Sequence, residues 1–236
     1  MDKTAKRESS VALWSVFLDR NPEELRRLTA FLDEVEARRA ANFHFELDRN
    51  RWIVARATLR ILLGKATQSS PDKILISTTT EGKPYLVNPM ASISFNLSHS
   101  RDHALIALAD GAPVGVDIEC YDRGNELETC IPEFCHPEEC KHLSECVSAD
   151  ERNLLLIRMW CAKESYLKAI GAGFAISPLE LLIKWRPDGN AVISRNGVPD
   201  TAFLIHFPKA LLINDFCIAV SLSPDVACPS VKKLDI

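Results

Sequence analysis

No stretch of this sequence is apolar for long enough to cross a membrane, which takes about 20 consecutive residues. The polar lead from Met1 to Ser10 lacks the hydrophobic core of a signal peptide, so the chain is expected in the cytoplasm. A surplus of positive charge is also missing. The formal net charge is −4 at pH 7, which gives no basis for nucleic-acid binding. There is no C-x-x-C pair among the eight cysteines, although six of them fall between Cys120 and Cys161, with His136 and His142 nearby. Those spacings match no standard zinc module. Without a secretion signal the thiols are read as reduced and packed as small hydrophobes.

What is present is ordinary for a soluble globular protein: 236 residues, 47% hydrophobic and 25% charged. That length suits one large domain or two small ones. The pattern in the first half predicts a disordered lead over 1–10 and a strand over 11–18. A helix starts at the Asn21-Pro22-Glu23-Glu24 cap and runs to 41, and another runs from Asp48 to Gly64. Strands are expected over 74–79, 85–87, 92–95 and 104–109. A second half begins near Val114. Its expected elements are helix and loop over 125–145, a helix over 149–170, and strands over 179–185, 191–194, 203–207 and 216–221. A polar tail after Ser223, with Pro224 and Pro229, is expected to trail over the surface.

Two stretches carry chemistry. In Gly115-Val116-Asp117-Ile118-Glu119 the acids are two apart on a strand and share a face, while Val116 and Ile118 face a core. Adjacent carboxylates repel unless a cation lies between them. In Trp160-Cys161-Ala162-Lys163-Glu164-Ser165-Tyr166-Leu167-Lys168, helical spacing puts Trp160, Lys163, Glu164, Leu167 and Lys168 on one side. Glu164 would add a third oxygen ligand, a set that suits magnesium better than zinc. Taken alone, the helix reads as no more than a Glu164–Lys168 surface pair.

G-V-D-I-E followed by W-x-x-K-E-x-x-x-K resembles the signature of the 4′-phosphopantetheinyl transferases of the larger, surfactin-synthetase-activating (Sfp) type. Phe95-Asn96-Leu97-Ser98-His99-Ser100 and Glu81-Gly82-Lys83-Pro84 resemble two further motifs of that family, in the family's order. The resemblance covers roughly residues 11–222.

The resemblance implies an α+β pseudo-dimer of two similar subdomains, each a small, mostly antiparallel sheet packed with a long helix. The expected division is 1–112 for coenzyme A phosphate contacts and 113–236 for the metal site and catalytic helix. An ungapped match of Arg51–Gly64 to Arg158–Gly171 fits such a duplication, with Ala57 standing where Glu164 stands. The implied reaction moves phosphopantetheine from coenzyme A to a serine hydroxyl of an apo acyl or peptidyl carrier protein and releases 3′,5′-ADP. Asp117, Glu119 and Glu164 match the metal ligands, for Mg2+ or Mn2+. Glu164 is also a candidate base, directly or through a water, and Lys168 a candidate for charge on the pyrophosphate. Lys163 is either structural or a substrate contact.

Ser98 and His99 match phosphate contacts, and Lys83 is placed near the adenosine 3′-phosphate. Among the basic residues, Arg56 comes first for the 3′-phosphate, then Arg51, with Arg39 third. Glu139 falls where the family often carries an acid, as a supporting or partner-facing group. A monomer is expected, with no nucleic-acid or membrane partner. Two alternatives stand beside this reading. One is a non-catalytic coenzyme A- or carrier-binding protein of the same fold. The other is an unrelated magnesium phosphotransferase, separable by preference for ATP over coenzyme A.

Overall fold

The computed structural model describes residues 10–87, 92–209, 213 and 215–235. The expected disordered lead, apart from Ser10, lies outside the described residues. β1 (Val11–Phe17) is followed by α1 (Pro22–Thr29) and α2 (Glu34–Ala41), two helices where one was expected. The break is chemical. Asp33 accepts from the Glu36 amide while Glu36 reaches back to the Asp33 amide, a capping box that starts a new helix. α3 (Glu46–Thr67) runs past Gly64, its expected stop, and closes at Gln68 in the left-handed conformation. Gly64 serves a close approach instead: a Cβ there would sit 2.7 Å from the Ser69 carbonyl oxygen.

β2 (Ile76–Thr78) and β3 (Pro84–Leu86) form a small hairpin. β4 (Ile93–Ser100) extends well past Phe95 and takes in the whole F-N-L-S-H-S stretch. β5 (His103–Asp110) and β6 (Gly115–Cys120) follow, then α4 (Gly124–Phe134), α5 (Pro137–Ser144) and α6 (Ala149–Ile170). The chain continues through β7 (Leu181–Trp185), β8 (Ala191–Arg195), β9 (Val198–Pro199), β10 (Leu204–His206), β11 (Phe216–Leu222) and β12 (Val231–Lys233).

Two main sheets result. One has the order β12-β1-β5-β4, and the other β6-β11-β10-β8-β7, with β9 paired to β8. Their pairs are antiparallel except β1 with β12, which is parallel. β12 corrects the expectation of a trailing tail. Leu13, Trp14 and Ser15 pair with Val231, Lys232 and Lys233, so the last strand of the expected second unit joins the first sheet.

Strand alternation sorts the side chains into layers. Ala104, Ile106 and Leu108 of β5 face Val54, Leu59 and Leu63 of α3. Leu105, Ala107 and Ala109 face the other way and meet Val116, Ile118, Ile218 and Val220 of the second sheet. On that sheet's far side, Cys217, Ala219 and Ile183 pack on Met159, Ala162 and Tyr166 of α6. The order is helix, sheet, sheet, helix, with α3 and α6, each 22 residues long, as the helices that cover the two sheets. This is the expected α+β arrangement of two similar units. Each fully buried Leu, Ile or Val in these cores contributes about 1.5–3 kcal/mol.

Gly115 sets the distance between β6 and α6. A Cβ there would meet the Ser165 carbonyl oxygen at 2.0 Å and the Ala169 amide nitrogen at 2.4 Å. Among the described residues no helix is long and apolar enough to cross a membrane.

Candidate active site

Because β6 lies so close to α6, its two acids face the helix at short range. Asp117 is 2% exposed and Glu119 5% exposed. Lys168, from the last turn of α6, places its Nζ 2.6 Å from Asp117 Oδ1, 3.1 Å from Ser98 Oγ and 3.9 Å from Glu164 Oε2. Trp160 Nε1 donates to Glu119 Oε1 at 3.1 Å, and Arg123 ion-pairs with the same oxygen.

The opposite wall is β4. The edges of the two sheets are joined here by side chains. Asn96 Oδ1 accepts from the Val116 amide at 2.8 Å, Ser98 Oγ donates to Asp117 Oδ1 at 2.7 Å, and Ser100 Oγ donates to Glu119 Oε2 at 2.8 Å. The S-x-S period of β4 therefore matches the D-x-E period of β6, hydroxyl to carboxylate.

The electrostatics follow from this crowding. Burial, then the charge of Asp117, pushes Glu119 up to about 7, against the opposing effects of Arg123, Ser100 and Trp160. Burial also raises Glu164; Lys168 opposes that rise and Asp117 adds to it. For Lys168, burial works against the charged form, but Asp117 and then Glu164 outweigh it and hold the ammonium above its usual range. Asp117 Oδ2 is buried with no hydrogen-bond partner among the described residues.

Of these carboxylates, Glu119 reaches a cleft of about 560 Å³. Phe43, Arg51 and Trp52 line one side, and His99, Arg101 and Arg123 the other, with Glu119 reaching its wall.

The structure brings together Asp117, Glu119, Glu164, Lys168 and Ser98, and places Arg51 and His99 on the adjoining cleft. Ser98 and His99 do not point the same way. As neighbours on a strand they point to opposite faces, Ser98 to Asp117 and His99 toward α3. His99 is open at the cleft mouth, yet the protein around it and then the Lys168 charge keep its imidazole below the usual range. Arg51 is held by Asp19 through two bonds of 2.7 and 2.9 Å.

Arg56 is not on the cleft; its guanidinium pairs with Glu36, which also takes buried Arg60. Arg39 lies over Trp52, 5.5 Å from the ring centre. Lys83 Nζ donates to the Ala169 carbonyl at 2.6 Å and so ties the first half to the end of α6. Burial holds its ammonium below the usual range.

Lys163 departs from the expected shared face with Glu164 and Lys168. It turns into the core, with Nζ 2.6 Å from Glu139 Oε2, 2.6 Å from the Phe134 carbonyl and 3.0 Å from the Pro178 carbonyl. Glu139 is 1% exposed and also accepts from the His136 and Ile183 amides, so it faces no partner. Not foreseen from the sequence are Ser100, Arg101 and Arg123. Ser100 had a signal, the matched period of the two strands. Arg101 had none beyond its turn, where it adopts φ +52. All eight cysteines are free.

Comparison with known proteins agrees across both halves. The sequence model described as "4'-phosphopantetheinyl transferase superfamily" matches residues 113–221, and that described as "4'-phosphopantetheinyl transferase, N-terminal" matches residues 19–110. The 4'-phosphopantetheinyl transferase HetI of a Nostoc species is 34% identical over 167 residues, covering 70% of this chain and 70% of its own. The chain belongs to the 4′-phosphopantetheinyl transferase superfamily. A phosphopantetheinyl transferase from a Thraustochytrium species is 29% identical to this transferase, over 85% of this chain and 73% of its own. The transferase Sfp of Bacillus subtilis is 25% identical, over 80% and 82%.

The residues present also fit a divalent cation. The donor set is all oxygen, and Asp117 Oδ2 is buried without a partner. Burying two neighbouring carboxylates is costly without positive charge. As they stand, that charge comes from Lys168 and Arg123. Among the described residues no group of three or more His, Cys, Asp or Glu side chains is already gathered as a metal site.

Proposed function

We infer that this enzyme transfers 4′-phosphopantetheine from coenzyme A to a serine hydroxyl of an apo acyl or peptidyl carrier protein, leaving 3′,5′-ADP, and that it is of the Sfp type. The observation that carries this reading is the joining of two features: a buried carboxylate pair beside Glu164 and Lys168, and a cleft lined by Arg51, Arg101 and Arg123. The first suits charge at a reacting phosphorus, and the second suits a phosphate-rich substrate. Similarity to Sfp over four fifths of each chain supports the subtype.

Asp117, Glu119 and Glu164 would hold Mg2+, with Mn2+ as a substitute. When bound, the ion supplies positive charge to the pyrophosphate oxygens. The protein's own groups do the rest. Glu164, its carboxylate made more basic by burial, accepts the serine proton as the hydroxyl oxygen attacks phosphorus and the bond to 3′,5′-ADP breaks. Lys168 stays protonated beside Asp117 and faces the negative charge that develops. Arg51 and Arg101 position substrate phosphates, and His99 serves as a neutral hydrogen-bonding group at the cleft mouth. The first half contributes these phosphate contacts, and the second half the carboxylates.

The test is the intact mass of an apo carrier protein after incubation with enzyme, coenzyme A and magnesium, alongside EDTA and Glu164→Ala samples. A gain of one phosphopantetheine on the serine, lost with EDTA and strongly slowed in the variant, is expected. Tight coenzyme A binding with no mass gain on any carrier would favour a non-catalytic binding protein.

A further inference from the structure

Glu119 has no free oxygen. Its Oε2 accepts from Ser100, and its Oε1 takes both Trp160 Nε1 and Arg123. Asp117, by contrast, keeps one buried oxygen without a partner. A cation that bridged these two acids would meet, at Glu119, oxygens that already accept hydrogen bonds, and at Oε1 it would meet the Arg123 charge.

The three donors differ in freedom. Ser100 is buried in β4. Trp160 is wedged edge-on against Phe134, with ring centres 5.2 Å apart. The Arg123 side chain is 36% exposed and stands in the cleft wall just before α4. It also has a second acid within reach, Glu126 at 3.3 Å. Its guanidinium lies 5.6 Å from the centre of the Trp160 ring, so the indole senses whether it is in place.

We propose that Arg123 is a tethered counter-ion: it neutralises Glu119 until a divalent cation displaces it, and the freed guanidinium then turns to the phosphates in the cleft beside Arg51 and Arg101. This rests on Asp117, Glu119 and Glu164 being the ligands of that cation. The tether is short, since Arg123 follows Glu119 by four residues. The exchange keeps the buried acids neutralised at each stage, by protein before the cation arrives and by the cation afterwards. It also makes the cation and the phosphate ligand bind cooperatively, because one releases the group that the other uses.

The experiment is Mn2+ titration of full-length, coenzyme A-free protein by calorimetry, in mildly alkaline buffer that keeps the carboxylates ionised. Wild type is compared with Arg123→Gln and Arg123→Lys. Arg123→Gln should bind Mn2+ about tenfold tighter, because no internal cation competes, while the charge-preserving Arg123→Lys stays near wild type. With Mg2+ present, Arg123→Gln should bind 3′,5′-ADP several-fold more weakly.

A second readout separates displacement from a simple change in local charge. Mg2+ should alter Trp160 fluorescence, defined by difference from Trp160→Phe, more strongly in wild type than in Arg123→Gln, where only the direct bond to Glu119 reports the ion. Equal Mn2+ affinities in wild type and Arg123→Gln, or the same Trp160 response in both, would overturn the counter-ion assignment and leave the metal ligands intact. Wild-type protein that binds no Mn2+ would overturn the ligand assignment itself, and this inference with it.

Discussion

Lys163 Nζ stands 2.6 Å from Glu139 Oε2, and both side chains are almost wholly shut off from water. The ammonium ties α6 to α5 and, through two carbonyls, to the chain on either side. Its neighbour Glu164, about 100° further round the helix, lies 3.9 Å from Lys168 instead. One residue of the Lys-Glu pair thus anchors the helix that presents the other. Removing a single partner leaves an uncompensated buried charge, so Glu139→Gln and Lys163→Met should each cost about 3–5 kcal/mol in denaturant unfolding. The double replacement by apolar residues should recover much of that loss.

Lys83 should behave as a clamp. Its bond to the Ala169 carbonyl is worth about 1.5–3 kcal/mol for a charged donor. Lys83→Met should lower the unfolding free energy by that order while leaving coenzyme A binding nearly unchanged. Arg101→Gln should do the reverse, weakening coenzyme A binding with little effect on unfolding. A large loss of affinity in Lys83→Met would return that lysine to a phosphate role.

Lys168→Met should slow transfer by about 100-fold or more, the usual loss when a preorganised charge is removed from a reacting site. It should also leave Asp117 without its main cation, so magnesium should raise the variant's melting temperature more than that of wild type. Thermal scans with and without magnesium check this independently of activity.

The folded protein holds a proton on Glu119 up to about 7, against an ordinary 4.5. A carboxyl raised on folding stabilises the fold fully below its ordinary value, and that contribution is lost as pH rises through the raised one. Cation-free protein should therefore lose up to about 3 kcal/mol from this group as pH rises from about 4.5 through about 7. Melting in EDTA across that range should show the decline. Glu119→Gln should remove most of it, and magnesium should flatten it.

Much of this was legible from residue spacing. Asp117 and Glu119 share a face because strands alternate, and Val116 and Ile118 fill the core as that rule requires. The same rule separates Ser98 from His99, and a motif read as a unit conceals it. Arg51 and Arg56 are five apart on a helix, far from one turn, and accordingly meet different acids, Asp19 and Glu36. Lys163 was illegible for another reason. Its partner Glu139 is on a different helix, and no local pattern announces a buried pair formed across the fold. β12 is three residues after two prolines, with no period of its own; its partner β1 defines it.

That last strand bears on how the protein comes to be made. Synthesis proceeds from the N-terminus, so β1 leaves the ribosome with one edge bare and stays so until Val231–Lys233 emerge. An open edge invites pairing with other chains for as long as it is exposed. The first half is therefore completed only after the second has been translated, and C-terminal trimming before Val231 should leave a protein that aggregates on refolding. A segment attached just after Val231–Lys233 would likewise emerge beside the N-terminal sheet and not beside the sheet that precedes it in the chain.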